Sequence, residues 1–506
     1  MTGPVLIAGA GPVGLMLAGE LRLGGAEVVV IERRERPSGE SRGLGFTART
    51  AEVFAQRGLL DAFGPVETNR QGHFGGIPMD FGVLPGAYFG VRGVPQDRTE
   101  RVLEDWARGL GAQILRGHEL VDLAEQPDGV RVGLTAPGGH GEQRVELTGS
   151  YLVACDGGRS TVRALAGFDF PGTDATREMY LADVVGASIR PRFIGERVAG
   201  GMVMSAPLTD GVDRIIVCEQ GTAHRPGRRE PEFAEVADAW ARLTGESLHG
   251  ARASWVSAFT DATRLVTEYR RGRVLIAGDA AHVHLPAGGQ GLSLGVQDAA
   301  NLGWKLAAAV AGRAPAGLLD SYHSERRPVA ERVLRNTRAQ GLLYLSGAEI
   351  EPLRAVFGEL MELPEVGRRL SGMVSGFDVR YDVGSDDHPL LGARMPDVAV
   401  GSTTVAAALR PARGVLLDPA GTTMPTGWAD RVDVVTGTPG AGWPADTTAI
   451  LLRPDGYVAW TRGTADGGPA HGERGRGLVE ALRRWFGPPR GGAQHGPARR
   501  HAALAG

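Results

Sequence analysis

Residues 4–32 read PVLIAGAGPVGLMLAGELRLGGAEVVVIE. Val5-Leu6-Ile7-Ala8 is short and wholly apolar, as a parallel strand buried on both faces requires. It runs into Gly9-x-Gly11-x-x-Gly14, with Val13, Leu17 and Leu21 recurring at helical spacing. Glu27 to Glu32 then reads as a second strand with an acid at its carboxyl end. Strand, glycine motif, helix, strand and acid in this order form the βαβ dinucleotide-binding fingerprint. Gly9 permits the tight turn, Gly11 lets a pyrophosphate approach the backbone, and Gly14 lets helix and strand pack closely. The helix N-terminus offers free N–H groups and positive potential to phosphates. Glu32 follows Gly11 by 21 residues, where a carboxylate can accept hydrogen bonds from an adenosine ribose, and Arg33 beside it joins the candidate cofactor set. The fingerprint alone leaves FAD and NAD both open.

The chain around this motif has 506 residues, enough for two to four domains of about 100–200 residues each. Its composition, 42% hydrophobic and 22% charged, is that of a soluble globular protein. With 55 basic and 58 acidic residues the net charge is −3, which excludes the basic excess of a nucleic-acid binder. No apolar run reaches the length of a membrane span. Residues 4–23 have the apolarity of a signal peptide, but no positive segment precedes them, so export is not expected. Two cysteines, Cys155 and Cys218, are too few for a disulfide framework and fit a reducing, cytoplasmic setting. Lys305 is the single lysine, a bias that GC-rich codons explain without any function.

Two later segments extend the nucleotide theme. Residues 271–305 read RGRVLIAGDAAHVHLPAGGQGLSLGVQDAANLGWK. A strand (Val274 to Ala277) closes on Gly278-Asp279. A glycine loop (Pro286 to Gly291) follows, then a helix with Leu292, Val296, Ala299, Leu302 and Leu306 along one side. A carboxylate at a strand end beside a helix N-terminus suits a polyol chain and an anionic ring edge. Residues 151–163, YLVACDGGRSTVR, repeat the pattern as strand, Asp156-Gly157 and helix.

In this order, the motifs resemble the single-component FAD-dependent aromatic hydroxylases, the class A flavoprotein monooxygenases with the p-hydroxybenzoate hydroxylase fold. The segments ESRGLGFTART, QGHFGG, GFDFPGT, MYLAD, LDSYHSER and RPDGYVAW resemble more narrowly the hydroxylases of aromatic polyketide pathways, the angucycline group among them. The resemblance runs to about residue 490. It implies an α/β fold with α+β parts. A Rossmann-type FAD-binding domain comprises 1–72, 97–177 and 267–390, and an inserted β-sheet substrate domain comprises 73–96 and 178–266. A thioredoxin-like C-terminal domain covers 395–486, without a CxxC and so without a redox role. Residues 487–506 are expected to be a disordered tail.

The resemblance also assigns residues. Gly9, Gly11, Gly14 and Glu32 would hold the ADP half of FAD. Arg42 would approach the cofactor, Gln96 would sit near its ribityl or phosphate region, and Asp156 and Asp279 would complete the cofactor set, Asp279 on the ribityl hydroxyls. Pro286 would lie beside the isoalloxazine. Gly289 and Gly291 shape the loop, and the amides of Leu292 and Ser293 would face flavin N1 and O2. Ser293 departs from the family's usual asparagine. A backbone contact survives that change, because any non-proline residue keeps its N–H.

The activity implied is hydroxylation of a polycyclic aromatic polyketide of angucyclinone type in antibiotic biosynthesis. The partners the resemblance implies are molecular oxygen and NADPH, the latter a reductant that docks transiently in the family, which the lack of a second GxGxxG fits, and the route passes through a flavin C4a-hydroperoxide. A homodimer is an open assembly. His73 could accept a phenolic proton or merely line the pocket. Phe74, Phe81, Tyr180, Met202 and Met204 could line a site for flat polycycles or pack a core. His282-x-His284 lacks a third ligand, so no metal is expected. Cys155 reads as a buried strand residue, and Arg326-Arg327 as a solvated face. Baeyer–Villiger oxygenation, attack on a phenolic xenobiotic or antibiotic, and a flavin-fold binding protein without turnover are the alternatives. No GWxWxIP segment supports a halogenase.

Overall fold

The computed structural model describes residues 3–66, 68–86, 90–138, 141–209, 211–224, 230–384, 388–463 and 471–490. Its first sheet runs Arg270–Arg271, Val274–Ile276, Tyr151–Ala154, Val5–Ala8, Val28–Glu32, Gln113–Arg116, with every pairing parallel except that of Arg270–Arg271. Val5–Ala8 and Tyr151–Ala154 are buried at every position. That is the state of a parallel strand with helices over both faces. The Pro12–Leu23 helix carries the chain from the first strand to the second and packs on the Gln290–Val310 helix. In register, Ala8 pairs with Ala154 and Ala154 with Ile276. The carboxyl ends of these three strands therefore lie side by side, and Gly9, Asp156 and Asp279 each follow one of them.

Between residues 119 and 149 the chain forms a three-stranded antiparallel meander that the motif reading did not anticipate. Its alternation, with Val130, Val132 and Leu134 buried, is a plain period-two pattern.

The second large sheet is antiparallel, in the order Arg192–Val198, Gly201–Thr209, Val212–Glu219, Glu178–Val185, Arg252–Thr260. The Phe233–Thr244 helix covers one face through Val236, Ala239 and Trp240. The opposite face looks toward the Pro286 loop.

The C-terminal sheet runs Val432–Val435, Gly414–Leu417, Thr447–Leu452, Val458–Gly463, with the His471–Phe486 helix against its last strand. Residues 487–490 depart from the expected disorder. Trp428 Nε1 donates to the Gly487 carbonyl at 2.8 Å, and the Arg490 N–H donates to the Gly427 carbonyl at 2.9 Å. The remainder of the expected tail, 491–506, lies outside the described residues.

The seam between the C-terminal piece and the nucleotide half is charged and buried. Arg453 donates to both Glu325 oxygens at 2.6 and 2.8 Å, and Lys305 Nζ reaches Glu325 at 2.7 Å. Arg49 and Arg57 donate to the carbonyls of Asp455 and Pro454 at 2.7 and 2.9 Å. The solvated face expected at Arg326-Arg327 is corrected by the same architecture. Arg326 lies inside the Ser321–Leu345 helix with no exposed surface, and its Nε donates to Asp298 at 2.7 Å. Arg327, half-buried, donates to the Val266 carbonyl at 3.2 Å. Among the described residues, no helix is long and apolar enough to cross a membrane.

Candidate functional site

The three glycines of the first motif do different work. A Cβ on Gly9 (φ +104°) would stand 2.4 Å from the Cys155 carbonyl oxygen, and one on Gly14 would stand 2.0 Å from the Gly9 oxygen. Both are fixed by contact of backbone with backbone. A Cβ on Gly11 would meet nothing within 4 Å. Gly11 is the N-cap of the Pro12–Leu23 helix, which has no side-chain cap. Gly157 and Gly289, both left-handed, are open in the same way, nothing lying within 4 Å of a Cβ at either. Gly289 caps the Gln290–Val310 helix, again with no side chain on the first-turn amides. Two helix starts with unbonded N–H groups, and open space beside three glycines along one sheet edge, fit an extended dinucleotide. The residues present therefore suit FAD.

The carboxylates behave differently from one another. Glu32 accepts from the N–H of Ala10 and of Arg34, both at 2.9 Å, tying the glycine turn to the second strand; a carboxylate keeps lone pairs beyond these two. Arg33 is exposed. Asp156 accepts from Ser160 Oγ and from the Val162 N–H at 3.1 Å, so it caps its own short helix (Thr161–Leu165), and burial pushes its carboxyl up. Asp279 is exposed at the tip of a buried strand. Cys155 lies just past the end of its strand and is half-buried, not within it; burial pushes its thiol up.

The Arg42 loop is braced from two sides. Ser41 Oγ donates to Asp97 at 2.7 Å, and the Gly43 N–H donates to Gln96 Oε1 at 3.2 Å. Gln96 Nε2 donates to Glu100 at 2.8 Å. Both ends of the Gln96 amide thus hold protein groups, and each keeps one further hydrogen-bonding position. Arg214, which sequence reasoning missed, comes from the second sheet. It is 1% exposed, forms a bidentate pair with Asp183 at 2.6 and 2.8 Å, and donates to the Ser41 carbonyl. An arginine within the apolar run Arg214 to Cys218 was its only signal. Arg42 itself is exposed.

Behind the glycine loop stands a second missed residue, Asp298. One oxygen accepts from the Gly278 N–H at 3.1 Å and from His282 Nε2 at 2.8 Å; the other accepts from Arg326. Burial raises this carboxyl, but Arg326 and His282 outweigh that and hold it below the usual carboxylate range. His284 instead places Nδ1 2.7 Å from the Leu285 carbonyl. Among the described residues no three His, Cys, Asp or Glu gather as metal ligands.

Pro286 and Gly289 are exposed at the loop, and Gly291 and Leu292 are half-buried. Leu285 and Ala287, flanking Pro286, pack with Met179, Met202, Cys218, Phe259, Tyr344 and Leu345. Of the two readings open for Tyr180, the structure gives core packing. It packs with Trp240 on the opposite face, and Met179 takes the loop side. Successive strand residues face opposite ways, so a shift of one residue exchanges core for pocket. Met202 and Met204 share the loop-facing side by the same alternation. Phe74 and Phe81 are 5% and 1% exposed in a packed cluster with Leu343, Leu370 and Val374, so they form wall, not open lining.

His73 sits edge-on to Tyr344, ring centroids 5.3 Å apart. Burial lowers its pKa to about 4, and Nδ1 accepts from the Gly76 N–H at 3.4 Å. The ring is neutral at ordinary pH, with its proton assigned to Nε2. A ring of such low basicity is a weak acceptor for the proton of a phenol of pKa about 10.

The family described as FAD binding domain matches residues 2–337, and aromatic-ring hydroxylase, C-terminal, matches 388–489. The crystal structure of CabE, an aromatic hydroxylase from angucycline biosynthesis, is 58% identical with a TM-score of 0.90, over 97% of this chain and 100% of that one. A 12-dehydrotetracycline 5-monooxygenase/anhydrotetracycline 6-monooxygenase of Streptomyces rimosus is 42% identical over 96% of this chain and 99% of its own. A dialkyldecalin synthase of Streptomyces rugosporus is 40% identical over 96% of this chain and 100% of its own.

Proposed function

This chain belongs to the family of FAD-binding aromatic-ring hydroxylases, and from that premise we propose that it hydroxylates a polycyclic aromatic polyketide of angucyclinone type in antibiotic biosynthesis, using NADPH and molecular oxygen. One observation carries the reading: the open glycine edge and the uncapped Gln290–Val310 helix meet the Met179, Met202 and Cys218 face of the second sheet at the Pro286 loop. The cofactor loop and the apolar face of the second sheet are thus packed against each other.

When bound, FAD supplies the two-electron chemistry and oxygen activation that side chains lack. Gly11, Gly157 and Gly289 make room for it, Asp279 takes its ribityl hydroxyls, and the first-turn amides of the Gln290–Val310 helix favour negative charge at its pyrimidine edge. Arg214 and Gln96 hold the Arg42 loop against it. Met179, Met202, Cys218 and Leu285 exclude water from the reacting face. His73, neutral, donates Nε2–H to a substrate oxygen. The same reading divides the chain into a FAD-binding part (1–72, 97–177, 267–390), a substrate part (73–96, 178–266) and a C-terminal part (395–486).

The test is NADPH oxidation by the FAD-loaded protein, with and without an angucyclinone, with product mass and NMR. Stimulated oxidation and a gain of one oxygen on a ring carbon support the proposal. Oxygen inserted beside a ketone would make the enzyme a Baeyer–Villiger oxygenase. The 40% identity to a dialkyldecalin synthase favours a second reading, cyclisation, whose mark is a product of unchanged mass formed without NADPH.

A further inference from the structure

The Ser293 side chain, at the first turn of the Gln290–Val310 helix, points into the protein. It is 2% exposed, and its Oγ accepts from the Thr47 N–H at 3.0 Å. Thr47, also 2% exposed, precedes the Ala48–Ala55 helix but makes no side-chain cap to it. Its hydroxyl donates instead to the Ser375 carbonyl at 3.1 Å, at the end of the Pro364–Ser375 helix. Three helices far apart in sequence are thus joined through one hydroxyl and one threonine. The first carries the cofactor-facing turn. The last carries Leu370 and Val374, packed on Phe74 and Phe81 at the substrate wall. Leu292, next to Ser293, lies 3.6 Å from where a Cβ on Gly43 would sit, so this turn also borders the Arg42 loop.

We propose that Ser293 is a positioning residue: its hydroxyl is a brace to Thr47 rather than a cofactor ligand, and it sets the angle at which the first-turn amides of the Gln290–Val310 helix meet the flavin. The proposal rests on the reading above that this turn faces the flavin. Removing the hydroxyl leaves the Thr47 N–H buried without an acceptor, and the helix start must move to find water or another partner.

The experiment compares Ser293→Ala, Ser293→Thr and wild type by FAD titration of the apoprotein and by visible circular dichroism of the bound flavin. The alanine variant is expected to bind FAD about tenfold more weakly with an altered flavin band. The threonine variant, which keeps the hydroxyl, is expected to restore both. Wild-type affinity and band in Ser293→Ala overturn the proposal. So does a folded Ser293→Thr that behaves as Ser293→Ala. Should the alanine variant fail to fold, hydrogen exchange of the wild-type apoprotein decides: a protected Thr47 amide supports the brace, and rapid exchange overturns it. Asp279→Ala, run alongside, separates the underlying reading. Unchanged FAD affinity there removes the flavin from this loop. Weakened affinity there, with none in Ser293→Ala, overturns the brace alone.

Discussion

Asp298→Asn is the sharpest perturbation the buried architecture allows. The side chain keeps its shape and loses its charge. Asp298 and Arg326 have no exposed surface, and their contact is 2.7 Å. Breaking a buried pair by removing one partner costs about 3–5 kcal/mol, because the remaining guanidinium is charged and unpaired. An asparagine cannot satisfy three donors. With its oxygen toward Gly278 and His282, its NH2 faces Arg326; turned over, it faces the other two. We expect a loss of about 4 kcal/mol in urea unfolding followed by tryptophan fluorescence. Because Gly278 precedes Asp279, FAD affinity should fall too. Arg326→Met in the same background removes the stranded charge, and the double variant should lose at least about 2 kcal/mol less than the two single losses added. The carboxyl titrates below its unfolded value, so its contribution is full above pH ~4 and fades as pH falls through the folded pKa; the gap between variant and wild type should close with it. A loss under about 1 kcal/mol, or additive single losses, would refute the claim that this pair anchors the flavin turn.

Gly11→Ala should fold as wild type, since its Cβ meets nothing within 4 Å, yet lose FAD affinity at least about tenfold; Gly14→Ala, whose Cβ would stand 2.0 Å from the Gly9 oxygen, should lose about 1–3 kcal/mol of stability. Thermal melts and FAD titration separate the two. His73 takes up its proton near pH 4 when folded and near 6.5 when unfolded, so acidification through that window favours the unfolded chain by up to about 3 kcal/mol. His73→Asn should flatten stability between those pH values, and an unchanged acid limb would count against the buried neutral ring. Lys305, the single lysine, is fully buried against Glu325. Amine acylation of the native protein, mapped by peptide mass spectrometry, should miss it, and Arg453→Met should raise its labelling at least about tenfold.

How far the sequence reached can be judged residue by residue. Gly9, Gly11 and Gly14 were legible because each meets a local demand of one βαβ unit. Gly278-Asp279 and the 286–291 loop were legible for the same reason. Tyr180 stayed open between pocket and core because a buried strand flanked by apolar residues gives no parity signal; only the helix packed on it chooses between Met179 and Tyr180. The protein partners of Gln96, the Gly43 N–H and Glu100, were not legible, because a glutamine's partners are set by whatever lies across the loop.

Strand-and-glycine order, visible along the chain, determined the nucleotide half, the need for an open backbone at Gly11, and the family. Those features are local: sterics and helix ends act over a few residues. Which polar groups meet in the interior was decided only by tertiary structure. Arg326 reads as a surface charge until Asp298, 28 residues away, is packed against it. Ser293 reads as an exception until Thr47, 246 residues away, brings its N–H within 3.0 Å. A buried charge or hydroxyl must find its partner wherever the fold puts one, because water is gone there, and sequence spacing carries no record of that distance.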